Sequence, residues 1–253
     1  MSDGMGRELA YLSSHANNRY FIPNWGRYMD FDVLLQILNN KFFVSRKYAF
    51  SDKFDTGMKI PLQLLYKLDV MDKGKTIPCV EKKYSLEGYY ELVKKSKNYL
   101  ASCWTTNKDD ILMWNSYTQA HCGVCIESTI KKVLNSLQPL EGYHVYCSKM
   151  YYAGYDQLED TEEYLFRKLS SYQHENEIRF YFLEDNIVNL LKENVESEKL
   201  PPKYFNVSPE DMILHLYFSP FIRGDSAKYQ EDLLVKHFFF LQDRIETFNF
   251  KNR

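Results

Sequence analysis

The chain has 253 residues, 45% of them hydrophobic and 26% charged, enough for one substantial core or at most two small ones. A net charge of −2 supplies no overall electrostatic drive toward nucleic acid or an anionic membrane. No 18-residue apolar run occurs and residues 1–10 lack an apolar signal core, so a cytoplasmic protein without a membrane partner is expected. The five cysteines, at 79, 103, 122, 125 and 147, are odd in number and scattered, which suits reduced thiols.

In chain order, residues 1–17 are polar and aperiodic and read as a loose arm, followed by a single domain over 18–253. Asp30–Asn40 predicts a helix, with Asp30 as cap, Phe31, Leu34, Leu35 and Leu38 as the buried face, and Asn39–Asn40 as the stop. Lys41–Ser45 reads as a strand and Phe50–Asp55 as a loop. One or two helices fit 58–98, interrupted by a charged, Gly- and Pro-bearing excursion at 71–83. Leu100–Trp104 is a strand, Thr105–Asn107 a turn with capping oxygens, and Ile111, Met113, Trp114 and Tyr117 mark a short helix with one buried face. Gly123 stops that helix, and Gly-Val-Cys-Ile restarts a strand. Helix is expected at Ser128–Leu137, Thr161–Tyr172, in 186–204 and at Ser226–His237; strand is expected at Tyr143–Cys147, Asn176–Phe182 and Arg244–Phe250. Met212–Phe218 fits either strand or buried helix. Strands and helices intermix without strict alternation, so the expected class is α+β, with a central mixed or antiparallel sheet flanked by helices. Leu100–Trp104, Gly123–Glu127 and Asn176–Phe182 are expected to share that sheet.

Several segments carry a family resemblance. Ser-Cys-Trp at 102–104, Asp-Ile-Leu-Met-Trp-Asn-Ser-Tyr at 110–117, His-Cys-Gly-Val-Cys-Ile at 121–126, Val145–Cys147, and Lys168 through Arg179 ending in Glu-Asn-Glu-Ile-Arg, resemble domain-of-unknown-function family 2971. Asn18-Arg19-Tyr20 and Ser51-Asp52-Lys53-Phe54-Asp55 agree in order, with Lys53 departing from an expected proline. The family occurs in bacteria and their mobile elements, which implies a toxin or phage-defence effector.

The sharpest chemical candidate is Glu175-Asn176-Glu177-Ile178-Arg179. On a strand, 175, 177 and 179 share one face about 7 Å apart, and two carboxylates on a rigid strand can divide acid–base and charge-stabilising work. The plainer reading is a solvated face with Glu–Arg pairing. The order Arg19, Ser102, Glu175-x-Glu177 is similar to the arginine class of ADP-ribosyltransferases, although Ser102 lacks the following Thr-Ser. That resemblance implies NAD as the substrate. Arg19 would hold its phosphates, with Tyr20 also in the cofactor site, Ser102 would brace the glutamate, Glu177 would stabilise the ribosyl cation, and Glu175 would orient an acceptor protein or nucleic acid. A Glu177→Gln change is then expected to leave the thermal midpoint nearly unchanged.

Trp104, Trp114 and Tyr117 read first as core aromatics and second as a stacking wall for a nicotinamide or purine ring. Cys122-x-x-Cys125 reads as buried strand thiols, since no second ligand pair for zinc is visible, and no metal is expected. The rivals to an NAD-dependent transferase are a non-enzymatic sensor or protein-interaction module, and a metal-dependent nuclease built on Glu175, Glu177 and Asp109 or Asp110.

Overall fold

A computed structural model describes residues 24–50, 98–108, 110–118, 123–137, 140–153, 167–187 and 200–246. The expected arm at 1–17, the helices and excursion within 51–97, and Arg19, Tyr20, Asp109 and Cys122 lie outside the described residues. The elements in chain order are β1 (Trp25–Asp30), α1 (Phe31–Leu38), β2 (Lys41–Arg46), β3 (Leu100–Thr105), α2 (Ile111–Tyr117), β4 (Gly123–Ser128), α3 (Ile130–Ser136) and β5 (Tyr143–Lys149). There follow β6 (Tyr151–Ala153), β7 (Arg167–Leu169), a 3-10 turn (Ser170–Glu175), β8 (Glu177–Glu184), β9 (Lys203–Asn206), α4 (Pro209–Met212), β10 (His215–Phe218), α5 (Gly224–His237) and β11 (Ile245–Glu246). Helices with extensive, mainly antiparallel sheet structure make the class α+β, and strands are present at 100–105, 123–128 and 177–184.

The described residues fall into two compact units, one drawn from 24–39, 104–137 and 207–246, the other from 40–50, 98–103 and 140–206. One boundary falls inside β3, between Cys103 and Trp104.

In the first unit the strand order is β11-β10-β4-β1, with Thr105 of β3 paired to Gly26 of β1. The β4 strand is buried throughout because β1 and β10 flank it, both antiparallel. The β11 strand pairs in parallel with β10. Trp114, Cys125 and Tyr217 form a core cluster, with Tyr28 and Phe221 packed on it. The α1 helix ends as its sequence suggests. The Asn39 amide donates to the Leu35 carbonyl at 3.0 Å and its side-chain amide donates to the same oxygen at 2.8 Å. Asn40 then takes φ 62°, a conformation asparagine tolerates. Its buried face is Leu34, Ile37 and Leu38, not Leu35.

The α2 helix departs further from expectation. Its cap is Asp110, whose carboxylate accepts from the Leu112 amide at 2.8 Å, rather than Thr105–Asn107. Thr118, extended at φ −138°, ends the helix after seven residues and donates its hydroxyl to the Trp114 carbonyl at 2.6 Å. A helix so short buries only Met113 and Trp114, leaving Ile111, Leu112 and Tyr117 at 44%, 54% and 44% exposure.

Close packing makes one glycine a sharp probe. A Cβ on Gly26 would stand 2.8 Å from Cys125 Sγ and 3.1 Å from Lys108 Cβ. Gly26→Ala is therefore expected to cost roughly 1–3 kcal/mol through overpacking, read from urea unfolding. An unchanged midpoint would show that Lys108 and Cys125 give way freely.

In the second unit β2 lies between β3 and β9, antiparallel to both. The β8 strand pairs with β3 and with β5, and every β5 residue is antiparallel to a β8 partner. Because both faces are covered, β8 is buried along nearly its whole length rather than half-solvated. Tyr99, Ala101, Tyr181, Ile187 and Leu200 form its core cluster. A separate parallel pair, β6 with β7, sets Tyr152 opposite Lys168. Of the helix expected at Thr161–Tyr172, residues 161–166 lie outside the described residues and this pairing overturns the remainder: the partner strand β6 claims Arg167–Leu169, and the chain then tightens into the 3-10 turn. Lys203–Asn206, for which no strand was expected, is strand because β2 offers it an edge. The ambiguous 212–218 segment resolves into the end of α4 and then β10.

A buried charge cluster as candidate functional site

The second unit buries four charged side chains within one cluster. The Lys168 ammonium, fixed by β7, lies 2.5 Å from Glu175 Oε2 and 3.1 Å from Glu177 Oε2. Arg179, two residues along β8, donates Nε to Glu177 Oε1 at 2.5 Å and Nη2 to Glu177 Oε2 at 2.8 Å. Its Nη1 donates to the Tyr181 hydroxyl at 3.1 Å, and the Phe50 ring lies 5.5 Å from the guanidinium carbon. Glu175, Glu177 and Lys168 are 4–5% exposed and Arg179 is fully buried. Two anions and two cations make the cluster formally neutral.

Local backbone geometry explains how the carboxylates meet. Glu175 ends the 3-10 turn and Asn176 takes the left-handed conformation at φ 41° before β8 begins at Glu177. Glu175 is thus not on the strand face with Glu177, as the alternation suggested. Lys168 joins the two carboxylates instead. The expected solvated Glu–Arg face is also corrected, since the pairing exists but is buried.

Electrostatics fix the charge state of Glu177. Burial acts to raise its pKa, but the Arg179 and Lys168 charges and the hydrogen bonds from Arg179 and the Cys103 thiol together bring it down to about 2. Tyr152 closes one side. Its hydroxyl accepts the Glu177 backbone N–H at 2.7 Å, and burial together with the two carboxylate charges pushes its pKa up to about 12.

The other residues proposed from sequence are dispersed. Ser102 is buried on β3, but the β3 side chain bonded to Glu177 is that of Cys103. Successive strand residues face opposite ways, so Ser102 turns to the other face. Trp104 and Trp114 are core side chains of the first unit, Trp114 in an edge-to-face contact with Tyr28 at 4.7 Å. Tyr117 is half-exposed in the same unit and forms no wall with two buried rings. Arg19 and Tyr20 lie outside the described residues, as does Asp109. Asp110 is committed to capping α2. Among the described residues no group of three or more His, Cys, Asp or Glu is placed to hold a metal ion, and no helix is long and apolar enough to cross a membrane.

Sequence reasoning missed Lys168, Tyr152 and Cys103. The only available signal for Lys168 was its place ahead of Glu175-x-Glu177 in the family-like segment. It also missed a buried acid in the first unit. Glu127 accepts from Lys108 Nζ at 3.0 Å and from the Tyr217 hydroxyl at 2.5 Å. Burial acts to raise its pKa, yet these hydrogen bonds and the Lys108 charge outweigh it and hold the carboxyl below its ordinary value.

Compared with models of known families, with curated proteins and with solved structures, the chain finds no match. Both family resemblances therefore rest on the quoted residues.

Proposed function

We propose that the second unit carries an ADP-ribosyltransferase-like site that breaks the nicotinamide–ribose bond of NAD, with Glu177 as the charge-stabilising carboxylate. The observation that carries this reading is a strand-borne carboxylate, ionised throughout the physiological range, with a second carboxylate bridged to it by one lysine. Departure of nicotinamide leaves positive charge on the ribose C1′ and ring oxygen. A carboxylate already oriented by Arg179 and by its own strand needs little reorganisation to stabilise that charge, so its effect appears in the transition state. Glu175, on the turn beside it, is the residue that would receive the acceptor. The setting of a bacterial toxin or defence effector follows only from the family resemblance.

A second reading is favoured by a different observation. Every charge of the cluster has an opposite partner within the protein, as a purely structural network in a sensor or interaction module would require. The two are separated by nicotinamide release from NAD, measured with wild-type, Glu175→Gln and Glu177→Gln proteins. Release by the wild type, lost in Glu177→Gln, supports the enzyme. A folded wild type that neither binds nor cleaves NAD, with or without candidate acceptors, sinks it and promotes the module.

A further inference from the structure

The glycosyl-transfer reading leaves the acceptor open, and the position of Lys168 bears on it directly. In an arginine-modifying enzyme the outer carboxylate must be able to receive a guanidinium, ideally through two parallel hydrogen bonds. Here an ammonium holds that place. Lys168 Nζ sits between Glu175 Oε2 and Glu177 Oε2, at 2.5 and 3.1 Å, and packs over the Tyr172 ring with 4.8 Å to its centroid. Its backbone is pinned by pairing with Tyr152 across β6–β7, and its side chain is 4% exposed. An incoming guanidinium would have to expel a buried ammonium or lie against it, and like charges in a desolvated site repel strongly.

We infer that the acceptor is a neutral hydroxyl, of water or of an alcohol, and that Lys168 excludes guanidinium acceptors from Glu175. A hydroxyl carries no charge for the ammonium to repel, so it does not require the Lys168–Glu175 ion pair to be broken. Tyr152 fits this role as a positioning residue. Its oxygen accepts from the Glu177 amide, which leaves its own O–H proton to donate. In the step itself the C1′–N bond breaks and its electron pair leaves on nicotinamide, cancelling the pyridinium charge. A lone pair of the acceptor oxygen forms the C1′–O bond, and the acceptor proton passes to the Glu175 carboxylate. Nothing is oxidised or reduced.

The inference rests on the NAD-cleavage reading, and the test separates the two. Wild-type, Lys168→Met and Lys168→Arg proteins are incubated with NAD in water, with added methanol, or with agmatine as a free guanidine. The products are resolved by mass spectrometry as ADP-ribose, its methyl glycoside or the agmatine adduct. The expected wild-type products are ADP-ribose and the methyl glycoside, whose ratio tells water from alcohol, with agmatine unmodified. Lys168→Arg should keep that pattern, whereas Lys168→Met should raise the agmatine-to-water product ratio by roughly tenfold or more. That ratio would not move if Lys168 were merely structural. Should Lys168→Met fail to fold, the wild-type and Lys168→Arg ratios decide. Agmatine modified by the wild type as readily as water overturns the inference while leaving the enzyme standing. So does a folded, active Lys168→Met protein that still ignores agmatine. A wild type that releases no nicotinamide overturns glycosyl transfer itself, and this inference with it.

Discussion

If the second unit cleaves NAD as proposed, Glu177→Gln should lose roughly 10²-fold or more in turnover; independently of any activity, it should lose about 3 kcal/mol of stability. The rate follows from removing a fixed negative charge where positive charge develops, while keeping size and hydrogen bonding. The stability follows from linkage. The Glu177 pKa moves from an ordinary 4.5 to about 2, and at about 1.4 kcal/mol per pKa unit that shift is worth roughly 3 kcal/mol. Because the folded value is the lower one, this stability is fully present above pH 4.5 and is lost as pH falls toward about 2. The variant should therefore show a lower thermal midpoint at neutral pH, by roughly 6–12 °C, and a shallower loss of stability between pH 4.5 and 2. This corrects the expectation of an unchanged midpoint. Arg179, fully buried, would face a neutral amide in place of its carboxylate. Turnover must be compared at a temperature where circular dichroism shows both proteins folded. Equal activity in the two proteins would leave an enzyme but place its active site elsewhere. An unchanged midpoint and acid slope would mean that the ion pairs of Glu177 are offset by its desolvation.

Glu184→Gln should cost about 3–5 kcal/mol, the usual penalty for removing one partner of a buried pair. Arg46 is almost wholly buried and spends its donors on the Pro201 carbonyl, the Asn98 carbonyl and both oxygens of Glu184. The carbonyls bind the guanidinium but do not neutralise it. This arrangement ties β2, the end of β8 and the chain at 98 and 200–201 into one unit, with the Leu200 amide donating to the Asn98 side chain at 2.8 Å. The double variant Arg46→Met with Glu184→Leu should be less destabilised than either single charge removal, because it leaves no orphaned charge. Tyr143 and Lys203, which also approach Glu184 at 3.4 and 3.8 Å, are partly exposed and can turn to water. Urea unfolding of the wild type, Arg46→Met, Glu184→Leu and the double variant measures the coupling. If the single changes add to the cost of the double, Arg46 and Glu184 do not act as a pair.

Local signals were sufficient for much of the architecture. The strands at 100, 123 and 177, the helix after Asp30 with its Asn39–Asn40 stop, and the helix ending at His237 are all written in short-range periodicity and punctuation. Glu175 and Glu177 were legible too, because two acids bracketing one residue next to an alternating apolar run stand out. What sequence could not supply was anything set by distant pairing. Residues 167–169 became strand rather than helix because β6 lies beside them. The 203–206 segment became strand because β2 had an unfilled edge. Lys168 reached the carboxylates only through that pairing, and Cys103 displaced Ser102 at Glu177 through the facing of β3 against β8. Above all, alternation along β8 predicts two faces but not whether both are covered. Covering by its neighbours turned a Glu–Arg string, which would count for little in water, into a buried network that fixes a carboxylate charge.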